Sequence, residues 1–218
     1  MIQIHKLFKK YGDRIIFENV CCLLENQHIY GLAGANGIGK TTLLNAVAQP
    51  ENIDAGVVKI DGIDSRMFAS KFHLFYIPDN KEMFLNLSGR EYLKFMVKIY
   101  RQDEKNAAGR LKKLSAAFGM EQSLNERMDN YSLGMKQKVY LIASFLSGAG
   151  NLILDEPFNG LDPQSAAVLK QLLIEHRNAG NLVLLSIHEP DLASKLCDDV
   201  LFIDRHRNIV LFDQLDHV

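Results

Sequence analysis

Gly34-Ala35-Asn36-Gly37-Ile38-Gly39-Lys40-Thr41, with Thr42 behind it, is the stretch that decides the fold. It satisfies the pattern G-x-x-x-x-G-K-[ST] in full. The glycines let backbone N–H groups turn inward around a phosphate. The helix expected over 40–48 points its positive end at the same place. A short apolar strand, residues 28–32, leads into the loop, so the local order is strand, glycine-rich loop, helix. In that setting Lys40 is expected to reach the outer phosphates of a nucleotide, and the Thr41 hydroxyl to ligate Mg²⁺.

Outward from the loop, residues 2–8 and 15–24 read as strands joined by a turn at Tyr11-Gly12-Asp13. Residues 57–60 form another strand before Asp61-Gly62, and 73–77 a strand stopped by Pro78. The character then changes. Ser88-Gly89-Arg90-Glu91 is a capping-box pattern that opens a helix to about Tyr100, and 103–118 and 132–147 also carry helical periodicity. From Asn151 strands and helices alternate again: strands 151–154, 182–186 and 200–203, helices 163–179 and 190–196. Asp162-Pro163 serves as N-cap and first turn of the first of these helices, and Gly180 as its stop. Strands rich in Leu, Ile and Val without polar alternation imply a sheet covered by helices on both faces.

With 218 residues, 47% hydrophobic and 23% charged, the chain can bury a substantial core. A formal net charge of −1 gives no electrostatic case for a nucleic-acid partner. The three cysteines, Cys21, Cys22 and Cys197, have no metal-ligand spacing and read as reduced and buried. Residues 1–10 lack the continuous apolar region of a secretory signal. Residues 139–154 are apolar but shorter than the ~20 residues of a spanning helix. They read as a buried helix, a turn and a buried strand. The expected location is cytoplasmic, with any membrane role exercised through a partner.

Asp155 and Glu156 end a very apolar strand, where two acids are costly unless they act on something charged. Asp155 is suited to hold Mg²⁺ through water, and Glu156 to polarise an attacking water. The competing reading is an acidic junction before Pro157, which the phosphate loop upstream makes the weaker one.

The chain also contains Tyr131-Ser132-Leu133-Gly134-Met135, the strand end Leu152-Ile153-Leu154-Asp155-Glu156-Pro157, then Asn159-Gly160-Leu161-Asp162 and a strand-end His188. In this order, after the phosphate loop, they resemble an ATP-binding cassette (ABC) ATPase over the whole length. The resemblance is strongest to the nucleotide-binding subunit of an exporter-type ABC transporter whose membrane domain is a separate chain. It implies a P-loop NTPase (RecA-like) α/β core with a mainly parallel sheet, an N-terminal antiparallel β region and an inserted helical subdomain. The single ABC ATPase domain would span 1–218, with 1–81 and 149–218 as core and 82–148 as the helical signature subdomain.

The same resemblance implies ATP and Mg²⁺ as ligands and residue roles position by position. Ser132 and Gly134, at the start of a helix whose N-terminus favours phosphate, would contact ATP held by an opposite subunit. His188 would contact the γ-phosphate, Asp162 would link the two sites, and Tyr11 would stack on adenine. The signature departs from the usual L-S-G-G-Q, with Leu133 at the first glycine and Met135 at the glutamine. Asp79 stands where the family usually has a glutamine that meets Mg²⁺ or the water and relays to the membrane subunit. The implied partners are a second ATPase subunit, identical or homologous, and a separate transmembrane permease. Two rivals stay open at this point: a soluble ABC ATPase with a non-membrane partner, and a nucleotide-gated interaction module without turnover.

Overall fold

A computed structural model describes residues 1–80 and 82–213. The expected core boundary at residue 81 lies outside them. The described residues form two compact units. The first comprises residues 1–78, 150–156 and 173 onward, and the second 79–149 and 157–172.

The first unit holds two sheets. In the antiparallel one, strands β1 (Ile2–Tyr11), β2 (Arg14–Leu24), β4 (Ala55–Ile60) and β5 (Ile63–Asp64) run in the order β2-β1-β4-β5. The hairpin is tighter than expected, since pairing continues to Tyr11↔Arg14 and leaves Gly12 and Asp13 as the turn. Cys21 is exposed rather than buried, because it falls on the face of β2 opposite the buried Val20 and Leu24, and its Sγ accepts the Lys6 N–H at 3.2 Å, while Cys22 is half-buried. Cys197 is buried as expected, and no described cysteine is bridged.

The second sheet contains β3 (His28–Ala33), β6 (Leu74–Ile77), β7 (Asn151–Leu154), β8 (Leu182–Ser186), β9 (Asp199–Ile203) and β10 (Ile209–Asp213). Its order is β10-β9-β3-β8-β7-β6, with only β10 antiparallel. Strand β10 goes beyond the expected elements. It follows the polar turn 204–208 and pairs from Ile209↔Ile203 onward. Helix α1 (Lys40–Ala48) buries Leu43, Leu44, Ala46 and Val47 in one core cluster with side chains from both sheets.

Register decides where the chemistry falls. Leu32 on β3 faces Ser186 on β8, Leu185 on β8 faces Leu154 on β7, and Leu154 faces Ile77 on β6. The strands therefore release the phosphate loop, the acid pair and His188 at one carboxyl edge, where open parallel sheets place ligands.

The second unit is helical. Helix α2 (Gly89–Ile99) starts at Ser88, whose hydroxyl accepts the Glu91 N–H while the Glu91 carboxylate accepts the Ser88 N–H, a complete capping box. Helix α3 (Glu104–Ala117) is capped by Asp103, and α4 (Leu133–Ser147) by Ser132. Tyr92 and Tyr140 meet edge to face in its core, and the Tyr140 hydroxyl donates to the Met83 carbonyl at 2.7 Å. Helix α5 (Pro163–Asn178) begins in this unit and ends in the first. A seven-residue helix, α6 (Pro190–Leu196), precedes β9. Among the described residues no helix is long and apolar enough to cross a membrane.

Candidate functional site

The loop between β3 and α1 is held from both sides. Gly39 has φ +131°, and a Cβ there would lie 2.9 Å from Phe17 Cζ, so only glycine lets β2 pack this close to the start of α1. Asn36, Gly37, Gly39, Lys40, Thr41 and Thr42 line a cleft of about 290 Å³, and Glu156 and His188 complete its lining. Lys40, 7% exposed, donates to the Gly34 carbonyl at 2.8 Å and the Ala35 carbonyl at 3.2 Å. Burial lowers its pKa, while the Glu156 and Asp155 carboxylates work the other way. The ammonium is thus kept folded on its own loop, within reach of the cleft.

Asp155 and Glu156 are fixed by a residue that sequence reasoning misses. The Ser186 hydroxyl donates to Asp155 Oδ1 at 2.6 Å and accepts the Glu156 N–H at 2.7 Å. Glu156 itself has φ +47°, a left-handed conformation costly for a side-chain-bearing residue, and the Ser186 bond holds it there. Asp155 is 1% exposed, and its Oδ2 is buried without a hydrogen-bond partner. A carboxylate oxygen left so is expensive unless a cation or a cation-bound water completes it, and hard divalent ions take such oxygens. Across the cleft His188 Nε2 lies 2.6 Å from Glu156 Oε1. Expected as separate groups, a base and a phosphate contact, the two are coupled in the structure. A signal for Ser186 does exist in the sequence: it is the one polar residue of the buried strand Leu182–Ser186.

Within the second unit, Ser132 accepts the Met135 N–H at 3.2 Å as N-cap of α4, and Leu133 is 60% exposed. Asp162 caps α5: it accepts the Ser165 N–H and hydroxyl, both at 2.8 Å, and pairs with Lys138 at 2.7 Å. The Lys138 hydrogen bond, then the Ser165 groups, hold its carboxyl below the usual carboxylate range. Asp79 is exposed, two residues past β6. Tyr11, 56% exposed at the hairpin end, lies under the Lys9 ammonium at 4.7 Å and outside the residues lining the cleft.

A glycine-rich loop opening a helix, with an acid pair at the end of a parallel strand of the same sheet, defines a phosphate-loop nucleoside triphosphatase. The assignment narrows further. Residues 17–159 match the family model for ABC transporters, and the chain belongs to that family. It is similar to the ABC-type transporter ATP-binding protein EcsA of Bacillus subtilis, at 30% identity over 207 residues, 93% of this chain and 83% of EcsA. It is similar also to the Nod factor export ATP-binding protein I of Burkholderia lata, at 26% identity over 95% of this chain and 69% of that protein. A solved ATP-binding subunit of an ABC transporter superposes with a TM-score of 0.93 at 27% identity, covering 99% of this chain and 91% of the other. The protein is an ATP-binding ABC ATPase subunit.

Proposed function

We propose that this subunit hydrolyses MgATP at a site completed by a second ATPase subunit, identical or homologous, and that closure of the pair drives a separate membrane-spanning permease. The observation that carries this reading is the chain Asp155–Ser186–Glu156–His188 on the phosphate-loop cleft. An acid pair held this rigidly beside a phosphate cradle suits γ-phosphoryl transfer to water. The single domain works as a nucleotide-binding core and a helical signature subdomain, with residues 157–172 packed in the same unit as the latter. It sits on the cytoplasmic face of the membrane, held there by the permease. The name of the Nod factor export relative supports the exporter direction.

In this reading Lys40 exchanges the Gly34 and Ala35 carbonyls for phosphate oxygens, and the N–H groups of 34–42 surround them. Thr41 and Asp155 would hold Mg²⁺, with Asp79 as the further ligand that the family resemblance implies, and the ion would supply positive charge that offsets the phosphates. Glu156 accepts the proton of the attacking water, and His188 holds the Glu156 carboxylate and offers its ring to the γ-phosphate. Tyr11 stacks on adenine. Ser132 and Gly134 close over the partner's ATP, and Asp162 carries the state of one site to the other.

Phosphate release from the purified chain with MgATP tests this. Steady turnover by wild type and its loss, by about a hundredfold or more, in Lys40→Ala is the expected result. Equal release by both proteins would overturn the reading.

A further inference from the structure

The loop after the acid pair and the start of the signature helix meet at three points, all inside the second unit. Gln137, fully buried on α4, donates its side-chain N–H to the Pro157 carbonyl at 2.7 Å. Lys138, on the next position, reaches Asp162 Oδ2 at 2.7 Å. Gly134 approaches the loop so closely that a Cβ on it would collide with the Gly160 carbonyl oxygen. Leu133, the residue departing from the family's usual glycine, has its Cγ 3.5 Å from where a Cβ on Gly160 would stand. Residues 157–172 accordingly pack with 79–149, although 150–156 belong to the first unit.

Left alone, a short loop containing Gly160 would sample many conformations, and fixing each residue costs conformational entropy. The contacts from α4 offset that cost. Two of them are hydrogen-bonded, one with full ionic charge, so they also fix direction rather than merely fill space.

We infer that Gln137 and Lys138 are positioning residues that make the 157–162 loop and the first turns of α4 one rigid jaw. Any displacement of the signature then carries the loop with it, and with the loop the backbone that follows Glu156. The consequence for turnover rests on the reading proposed above, in which Ser132, Gly134 and Asp162 face a partner's nucleotide. The jaw itself does not.

Hydrogen exchange on the nucleotide-free full chain reads the jaw directly. The Leu161 amide bonds to the Phe158 carbonyl at 3.2 Å and the Ser165 amide to Asp162 Oδ1 at 2.8 Å. Lys138→Ala is expected to speed exchange at both by about tenfold, with amides 34–42 changed by less than about twofold. Lys138→Arg, which keeps charge and reach, restores the wild-type pattern, and Lys138→Gln replaces the alanine variant should that one not fold. Unchanged exchange at Leu161 and Ser165, or an arginine variant as fast as the alanine one, overturns the inference. In steady-state turnover the same alanine variant should lose about tenfold in kcat with KM for ATP within about twofold, regained by arginine. A chain with no ATP turnover at all would sink the proposed function, and the exchange rates alone would then decide whether the jaw exists.

Discussion

At the phosphate loop, every charged side chain is already engaged inside one unit: Lys40 on the Gly34 and Ala35 carbonyls, Asp155 on Ser186, Glu156 on His188. At the start of α4 the opposite holds. Ser132 caps its own helix, Leu133 stands 60% exposed, and the nearby charged pair, Lys138 with Asp162, serves the loop behind it. One region is a formed cleft that a nucleotide can enter. The other is a helix start with Ser132 as its cap and Leu133 exposed, and in the proposed reading it meets the nucleotide of a second chain. In that reading a single subunit builds the cradle and the acids alone, and the lid forms only by association.

The sharpest way to break the comparison is at Glu156. Glu156→Gln should cut turnover by about 10²–10⁴-fold while nucleotide still binds, because the cradle does not depend on that carboxylate. Loss of binding, followed by a fluorescent ATP analogue, would mean that cleft and acid pair are not separable. A smaller effect is expected at Ser186. Ser186→Ala removes the donor to Asp155 Oδ1 and the acceptor of the Glu156 N–H. A fall of about ten- to a hundredfold in kcat should follow, with the magnesium requirement shifted upward. Activity at wild-type level with unchanged metal dependence would show that the acids are held by their strand alone.

The smallest effect concerns the first unit's packing rather than its chemistry. Burial pushes His176 down from its ordinary 6.5 to about 4, with a backbone hydrogen bond to Gly150 working against the shift. Between those values the unfolded chain binds a proton that the folded one refuses. The stability that goes with the neutral ring is therefore complete above about pH 6.5 and is lost as pH falls toward about 4. Melting temperature followed from pH 7.5 to 5 should drop by a few degrees more for wild type than for His176→Leu. Parallel curves would place His176 in a more hydrated position.

How much of this is legible in the sequence follows the same division. The phosphate loop and the acids after β7 are local signals, since loop geometry and one strand end dictate residue type without reference to distant contacts. The capping box at Ser88 and Glu91 is readable for that reason too. Ser186 shows in the sequence only as the polar end of an apolar strand, because its role comes from the register of two parallel strands, β7 and β8, that 27 intervening residues separate in the chain. Gln137 and Lys138 close the signature stretch 131–138, but their partners Pro157 and Asp162 lie twenty or more residues away. Strand β10 escapes notice because the polar run 204–208 reads as an ending, whereas it is the turn of an antiparallel hairpin. Cys21 looks like an interior residue by type and faces outward on an edge strand.

The central claim is that the signature acts on a neighbour's nucleotide, and association under ATP tests it most directly. On gel filtration with MgATP, Glu156→Gln should move from a monomer of 24.6 kDa to a dimer of twice that mass, 49.2 kDa, and return to monomer when ATP is withdrawn. A chain that binds ATP and still elutes at 24.6 kDa would contradict the account.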